Sequence, residues 1–238
     1  MKTKNMSALT TTFKWMSIAA AVAGVVACGG GGGDSGPSTT TMSITGTAAT
    51  GKALDGAVVT VSCASGTGSA TANATGGYTV SIQNGQGPCL LTATKGNTVL
   101  RSVAPGAGVA NVTPLTDLLV EFLATRAGTT PANLLSNANG KALLSDANAL
   151  NDGQTKVAAF LQTTYGVTLS SANFLTVSIT PPTPGATQSA SDKDLDLLLA
   201  RGIVSSNGVP ATTVVSNVKT EGQKQPYVAP TGATGTAR

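Results

Sequence analysis

The most reactive side chains of this sequence are three cysteines, Cys28, Cys63 and Cys89, and ten carboxylates; the sequence contains no histidine. A cysteine can be acylated, can form a disulfide, or can act as a nucleophile or metal ligand. Histidine is the commonest general base and metal ligand, so its absence removes every Ser-His and Cys-His catalytic arrangement. We therefore expect modified or paired cysteines, and we expect no catalytic residue, no metal site and no cofactor.

Cys28 follows a segment that is typical of an export signal. Residues 1–14 include three lysines, and residues 15–27 form an apolar run that ends directly at the cysteine. This run is shorter than the ~20 apolar residues that a transmembrane helix needs. We therefore predict that residues 1–27 are a cleaved signal peptide and not a membrane span.

The residues V-V-A-C, from Val25 to Cys28, resemble the lipobox of bacterial lipoproteins. In that family, small residues precede a cysteine that is acylated and becomes the new N-terminus, which implies that Cys28 is the lipidation site. Residues 28–41 are rich in Gly, Ser and Thr and predict a flexible tether. A glycine directly after the cysteine, here Gly29, resembles the pattern of Gram-negative lipoproteins that are sent to the outer membrane. The sequence does not distinguish the periplasmic face of that membrane from its outer face. The alternative is an ordinary signal peptide that leaves Cys28 as an incidental thiol.

Once Cys28 is acylated, Cys63 and Cys89 have only each other as disulfide partners. A disulfide suits an exported protein, because disulfides form and persist in the oxidising periplasm. Closing a loop of about 26 residues contributes roughly 3 kcal/mol in the loop-entropy account. The alternative is a pair of buried free thiols in a cytosolic protein.

The two cysteines must be positioned by residues 42–112, which predict a small antiparallel β-sandwich. Short runs of β-forming residues are separated by glycine turns, and helical periodicity is absent from the segment. In two of these runs each cysteine shares a face with alternate apolar residues, as a bridge between strands requires. The predicted strands are MSITGTA, GAVVTVSC, SATAN, GYTVSI, CLLTATK and TVLRSVA.

Three segments of this unit resemble the carboxypeptidase-regulatory-like domain: G-K-A-L-D-G-A-V-V-T-V (51–61), T-G-G-Y-T-V (75–80) and P-C-L-L-T-A-T-K-G (88–96). That family has an Ig-like, transthyretin-like β-sandwich and occurs in surface and periplasmic proteins. The resemblance covers roughly a quarter of the chain and implies a structural or recognition module that is not a catalyst. The sequence departs from the family in its cysteine pair and in Gly76, which replaces the usual acidic residue.

Residues 113–220 predict a small α-helical bundle. The run T-P-L-T-D, which begins at Thr113, supplies a capping hydroxyl, a proline at the first helical position and an acid near the helix N-terminus. Ser191 and Asp194 have the spacing of a capping box ahead of a later helix. Apolar clusters between these two helix starts, and a last one at residues 209–219, predict the other helices.

The predicted fold class is therefore α+β, with a small Ig- or transthyretin-like antiparallel β-sandwich followed by a small α-helical bundle. Residues 221–238 are polar and contain Pro, Gly and Thr. A segment of this composition cannot bury enough apolar surface to fold, so we predict a disordered tail.

Two motif matches lack the surroundings that their chemistry needs. G-T-A-A-T-G-K (46–52) has the spacing of a phosphate-binding loop, but Ala53 replaces the magnesium-binding hydroxyl and a strand follows in place of a helix. Asp192, Asp194 and Asp196 alternate like the start of a calcium loop, but the glycine and the closing glutamate of that loop are missing. We interpret the first match as a turn and the second as acids in the first turn of a helix.

The charge pattern gives no indication of a nucleic-acid partner. The net charge of +4 includes the three lysines of residues 1–14, so the mature chain is close to neutral and has no basic run. We expect a lipid-anchored lipoprotein of the outer membrane that acts as a non-catalytic structural or binding module, with the membrane and an envelope protein or glycan as partners. The alternative is a periplasmic hydrolase that cleaves cell-wall or polysaccharide material with a carboxylate pair.

Overall fold

The computed structural model describes residues 40–182 and 187–229. Within these residues the chain is α+β, with two β-sheets followed by five α-helices, which agrees with the predicted class. The predicted signal peptide (1–27), Cys28, the tether up to residue 39 and the last part of the predicted tail (230–238) lie outside the described residues.

The two sheets contain seven strands: β1 (Thr41–Thr47), β2 (Val58–Ser65), β3 (Thr67–Thr71), β4 (Gly77–Gln83), β5 (Gln86–Lys95), β6 (Thr98–Ala104) and β7 (Gly108–Val109). The three-stranded sheet has the order β4-β1-β7, in which β1 is antiparallel to β4 and parallel to β7. The four-stranded sheet has the order β3-β2-β5-β6 and is antiparallel throughout. Six strands coincide with predicted runs, whereas β7 has too few residues to show a periodic pattern.

The inward faces of the two sheets share one hydrophobic core, as in a β-sandwich. Alternate residues point inward because successive side chains of a strand lie on opposite faces. Tyr78 is the only aromatic residue among the described residues of this core, so small side chains must fill the space closely. Its fully buried members include Ile44, Val59, Val80, Ile82, Leu91, Ala93 and Leu100.

The helical part contains α1 (Pro114–Arg126), α2 (Ala138–Ser145), α3 (Ala147–Tyr165), α4 (Ala190–Ala200) and α5 (Thr212–Gln223). The predicted start of α1 is confirmed: Thr113 and Thr116 exchange hydrogen bonds in a capping box. Gly166 ends α3 in the left-handed conformation that glycine adopts without strain. No helix within the described residues is long and apolar enough to cross a membrane.

The helix α4 begins, and the helix α5 ends, at a different residue from the one that the sequence predicts. Ser189, and not Ser191, caps α4, because its Oγ accepts a hydrogen bond from the backbone N–H of Asp192 at 3.1 Å. The helix α5 continues to Gln223, past the boundary expected at residue 220. The predicted tail therefore starts with ordered residues.

Two contacts with α1 hold the residues that follow α5. Arg126 Nε donates to the carbonyl of Gln225 at 3.0 Å, and the N–H of Tyr227 donates to the carbonyl of Arg126 at 2.8 Å. These partners are about a hundred positions apart in the sequence. The composition of a short segment gives no information on contacts with residues so far away, and on composition alone the segment is predicted to be disordered.

The helix α1 lies at the centre of the helical part and packs against β6, α5, α3 and α2. Every residue from Pro114 to Ala124 is buried, including the acids Asp117 and Glu121. The sequence predicts a single apolar stripe on this helix. Because the helix is instead buried on all sides, its two carboxylates need partners, and Arg101 of β6 is one such partner.

Candidate functional site

Cys63 on β2 and Cys89 on β5 form the predicted disulfide. The two residues lie directly opposite each other in the antiparallel ladder, so the bond joins the two central strands of the four-stranded sheet. Cys89 is fully buried and Cys63 is half-buried. Two of the three cysteines are therefore held in the fold, and the third, Cys28, lies outside the described residues.

A groove of about 620 Å³ opens on the surface beside the three-stranded sheet. Outward-facing residues of β1 and β4 form its floor, including Thr45 and Thr79. Residues at the end of β3 line one side, and the segment 176–179 lines the other. Its volume lies within the roughly 300–1,000 Å³ that is usual for small-molecule sites.

The buried side chain of Asn111 attaches one wall of the groove to the sheet. Its Oδ1 accepts a hydrogen bond from the N–H of Thr47 at 3.1 Å, and its Nδ2 donates to the carbonyls of Val177 at 2.7 Å and Phe174 at 3.4 Å. Its backbone N–H donates to the carbonyl of Leu175 at 2.7 Å. These four hydrogen bonds pair the polar groups of Asn111 and connect the wall to the sheet.

The floor of the groove is fixed by a close approach of two backbone segments. The hydroxyl of Tyr78 donates a hydrogen bond to the carbonyl of Ala110, and burial raises the pKa of Tyr78, so this hydroxyl stays neutral. Gly46 allows the approach, because a Cβ at this position would clash with the same carbonyl. This contact therefore joins β4 to the segment that follows β7 beside the groove.

The groove carries no formal charge, since none of the described residues that line it is Asp, Glu, Lys or Arg. Its polar lining consists of hydroxyl and amide side chains, and valine and alanine side chains supply the apolar part. Such a surface offers hydrogen-bond donors and acceptors without an ionic partner. It is suited to an uncharged ligand.

Asp117 and Glu121, one turn apart on α1, both contact Arg101. Arg101 Nε lies 2.7 Å from Asp117 Oδ1, and its second terminal nitrogen lies 2.7 Å from Glu121 Oε1. Burial raises the pKa of Asp117, while the charge of Arg101 and its hydrogen bonds lower it. The pair connects the sheet to the helical part and lies apart from the groove.

The three alternating acids of α4 accept hydrogen bonds from two residues, Gln188 and Ser170. Only Asp192 lies in the first turn of α4, so the prediction of first-turn acids is wrong for Asp194 and Asp196, because the helix begins earlier than the sequence predicts. Gln188 Nε2 donates to one oxygen of Asp192 and one of Asp196, each at 2.7 Å. Asp194 accepts from the N–H and the hydroxyl of Ser170, at 2.9 and 2.6 Å. Nowhere in the described part of the chain do three His, Cys, Asp or Glu side chains form a group that could hold a metal ion.

Asp192 is the most costly of these acids for the fold. It is fully buried, and its Oδ1 has no hydrogen-bond partner among the described residues. Burial raises the pKa of its carboxyl, the hydrogen bond from Gln188 lowers it, and the charge of Asp196 raises it again, so that the pKa lies above its usual value. The folded protein therefore binds this proton more tightly than the unfolded chain does.

Replacing Asp192 by asparagine is expected to raise the free energy of unfolding at pH 7 by about 1 kcal/mol, because the variant buries no charge. Because the pKa of Asp192 is raised in the folded state, protonation of this carboxyl stabilises the wild type fully at pH values below the ordinary pKa of 3.8. The stabilisation is lost as the pH rises through the raised pKa. The gain of the variant should therefore vanish near pH ~4. Urea denaturation at both pH values measures the difference.

The matched control for this prediction is Asp55→Asn, which removes an exposed carboxylate from the turn before β2. Its effect should stay within about 0.5 kcal/mol at both pH values. A destabilised Asp192→Asn variant at pH 7 would contradict the prediction, because it would show that the Asp192 charge has a favourable partner.

The segment G-T-A-A-T-G-K forms the end of β1 and the turn after it, as expected. The N–H of Thr50 donates to the carbonyl of Lys52 at 2.9 Å, which closes the turn. The strand β2 follows, and a helix does not. The segment therefore lacks the helix N-terminus that binds phosphate in nucleotide loops.

Asn111, Arg101 and the groove carry no motif that marks them in the sequence as parts of a site. The partners of the Asn111 side chain lie 63 to 66 positions away, and the acids that Arg101 binds lie 16 and 20 positions away on another element. No periodic pattern marks such residues. The one available signal was the isolated arginine in the apolar run T-V-L-R-S-V-A, which requires a partner when that strand is covered.

Comparison with known proteins identifies no relative of this chain. No family model, no curated protein and no solved structure matches it. What the chain does must therefore be inferred from its own residues and contacts.

Proposed function

We propose that this protein is a lipoprotein of the Gram-negative outer membrane, anchored by acyl chains on Cys28 and acting as a non-catalytic structural or binding module. The disulfide between Cys63 and Cys89 carries the proposal. Disulfides are typical of exported proteins, so this bond favours a location outside the cytosol. It also occupies two of the three cysteines and leaves Cys28, at the lipobox-like sequence, for acylation.

We further infer that the two-sheet unit is a carboxypeptidase-regulatory-like, transthyretin-like sandwich. Two antiparallel-rich sheets around a shared core of small side chains support this inference. The turn before β4 with the start of that strand, and most of the strand β5, coincide with two of the resembling segments, T-G-G-Y-T-V and P-C-L-L-T-A-T-K-G. In that family the sandwich is a structural or recognition module, and we propose the same role here.

The contacts of the acidic residues favour a binding module over the alternative hydrolase. A glycosidase needs two carboxylates that face each other across a substrate cleft. The buried acids Asp117 and Glu121 instead bind Arg101, and Asp194 binds Ser170. The groove beside the three-stranded sheet has no acid in its lining.

Replacing Cys28 by alanine is expected to abolish lipidation, because the alanine side chain has no sulfur to acylate. The variant should keep its leader, incorporate no labelled palmitate and differ from the wild type in mass. Intact-mass analysis of the purified protein measures the acyl mass and the cleavage site together.

The matched control is the double variant Cys63→Ala/Cys89→Ala, which removes the disulfide and keeps Cys28. It should still incorporate palmitate, since processing depends on the leader and not on the sandwich. A Cys28→Ala protein with the mass and the membrane partition of the wild type would refute the anchor.

A further inference from the structure

Four hydroxyl groups of the groove are unused by the fold. Other hydroxyls that line the groove already have partners within the fold: that of Thr47 donates to the carbonyl of Ile179 at 3.4 Å, and that of Thr176 donates to Asn173 Oδ1 at 3.0 Å. The hydroxyl of Tyr78 donates to the carbonyl of Ala110. The remaining groove hydroxyls make no side-chain hydrogen bond to any described residue, and they belong to Thr45, Thr71, Thr79 and Ser178. Each can both donate to and accept from a ligand.

These hydroxyls are arranged along the floor and the sides of the groove. Thr45 and Thr79 lie directly opposite each other on β1 and β4, so their Cβ atoms are about 5 Å apart. Both point outward, because their neighbours Ile44 and Val80 are buried in the sandwich core. Thr71 ends β3 on the β4 side, and Ser178 belongs to the wall that Asn111 holds on the β7 side.

The strand β1 of the floor offers no place for an additional strand. In the sheet order β4-β1-β7, the strand β1 is paired on both edges, whereas β4 is an edge strand. The main-chain groups of β1 are therefore occupied. A peptide that binds by strand addition needs a free strand edge, so β1 does not favour such a ligand.

The mixed lining matches the chemistry of an uncharged sugar. A pyranose ring presents hydroxyls that donate and accept hydrogen bonds, together with C–H groups that pack on apolar side chains. Val109, which is 48% exposed, and the half-buried Val177 and Ala70 supply such apolar surface. An acidic or basic ligand would find no opposite charge in this lining.

We propose that this groove binds an uncharged oligosaccharide chain, with the hydroxyls of Thr45, Thr71, Thr79 and Ser178 as its contacts. The proposal depends on the proposed location in the cell envelope, where the protein would meet glycans. Asn111 acts as a positioning residue, because it holds the wall and does not itself face the ligand with a free polar group.

The test is calorimetric titration of the full-length protein, purified in a detergent without a sugar headgroup, with a glucose hexamer and an N-acetylglucosamine hexamer. We expect saturable binding of at least one of the two. The double variant Thr45→Val/Thr79→Val should weaken that binding about tenfold, because two hydrogen bonds are lost. Valine keeps the β-branched shape of threonine, so the strands should be preserved.

The matched control is Thr94→Val, which removes an exposed hydroxyl from the outer face of the other sheet and should leave the affinity unchanged. The proposal is overturned if neither hexamer binds to folded wild type, if the double variant binds as tightly as wild type, or if the control weakens binding equally. Preferential binding of a charged galacturonate hexamer or of an extended peptide also overturns it.

Acyl mass is measured on the same preparation, which separates this proposal from the anchor. A lipidated protein that binds neither hexamer refutes the sugar groove alone. A protein that binds a hexamer but carries no lipid on Cys28 refutes the anchor alone.

Discussion

Replacing Arg101 by alanine is expected to lower the free energy of unfolding by about 3 kcal/mol, because it leaves two buried carboxylates without their cation. The side chains of Asp117 and Glu121 are only 6% and 8% exposed. They lie one turn apart on α1, so their charges also repel each other once Arg101 is removed. Urea denaturation followed by far-UV circular dichroism measures the loss.

The geometry around Arg101 explains why the effect should be large. Its side chain makes a two-pronged contact with Asp117, at 2.7 and 3.3 Å, and its backbone N–H donates to the same carboxylate at 3.0 Å. Glu121 has a second partner in Lys219, at 3.1 Å, but that lysine is 46% exposed, so solvent weakens its attraction to Glu121. Arg101 is therefore the main link between β6 and α1.

The loss should be larger at pH 7 than in mildly acidic solution. Burial raises the pKa of Asp117, and Arg101 lowers it in the wild type. In the alanine variant the lowering by the guanidinium is absent, although the hydrogen bond from the backbone N–H of residue 101 stays, so Asp117 takes up a proton more readily in the folded state as the pH falls. Protonation removes the uncompensated charge, and the variant recovers part of its stability relative to wild type.

Two further variants test this explanation. Lys156→Ala removes one partner of an exposed ion pair with Asp152, at 3.6 Å, and should cost less than about 0.5 kcal/mol. The triple variant Arg101→Met/Asp117→Asn/Glu121→Gln buries no charge and should regain much of the stability lost in Arg101→Ala. An Arg101→Ala protein within about 1 kcal/mol of wild type at pH 7 would show that solvent reaches both acids.

Removing the disulfide with Cys63→Ala/Cys89→Ala is expected to lower the free energy of unfolding by about 3 kcal/mol. The bond closes a loop across a sequence separation of 26, and this loop contains β3 and β4. Without it, the unfolded chain gains the conformational freedom of the opened loop, which favours unfolding. Urea denaturation of the double variant and of the chemically reduced wild type should show similar losses.

The control for the disulfide is Cys28→Ala in a detergent-purified protein. This variant keeps the bond, so its free energy of unfolding should equal that of wild type. Equal stabilities of the double variant and wild type would contradict the prediction. That result would mean that the ladder between β2 and β5 already restricts the unfolded chain as much as the bond does.

The strands and the first helix were accessible from the sequence because local signals specify them. The alternation in G-Y-T-V-S-I and C-L-L-T-A-T-K predicts β4 and β5, and the structure contains both strands. Thr113 and Pro114 predict the start of α1, and the capping box forms there. Such signals involve residues only a few positions apart, so a single segment contains them in full.

The elements that local reasoning misplaced depend on competing or distant partners. The capping-box spacing predicts Ser191 as the cap of α4, whereas Ser189 caps the helix and also accepts a hydrogen bond from the N–H of Thr180. The strand β7 exists because Gly108 and Val109 pair with β1, about 64 positions away. Neither choice can be made from the segment alone.

The sequence by itself determined the α+β class, most of the strands, the start of α1 and the pairing of Cys63 with Cys89, because these follow from periodicity, capping residues and the count of cysteines. Tertiary structure alone decided that Arg101 binds two acids of α1, that Asn111 holds a wall, and that threonines of separate strands share one groove. The physical reason is distance along the chain. Ion pairs, buried hydrogen bonds and grooves form between segments that only the folded state brings together.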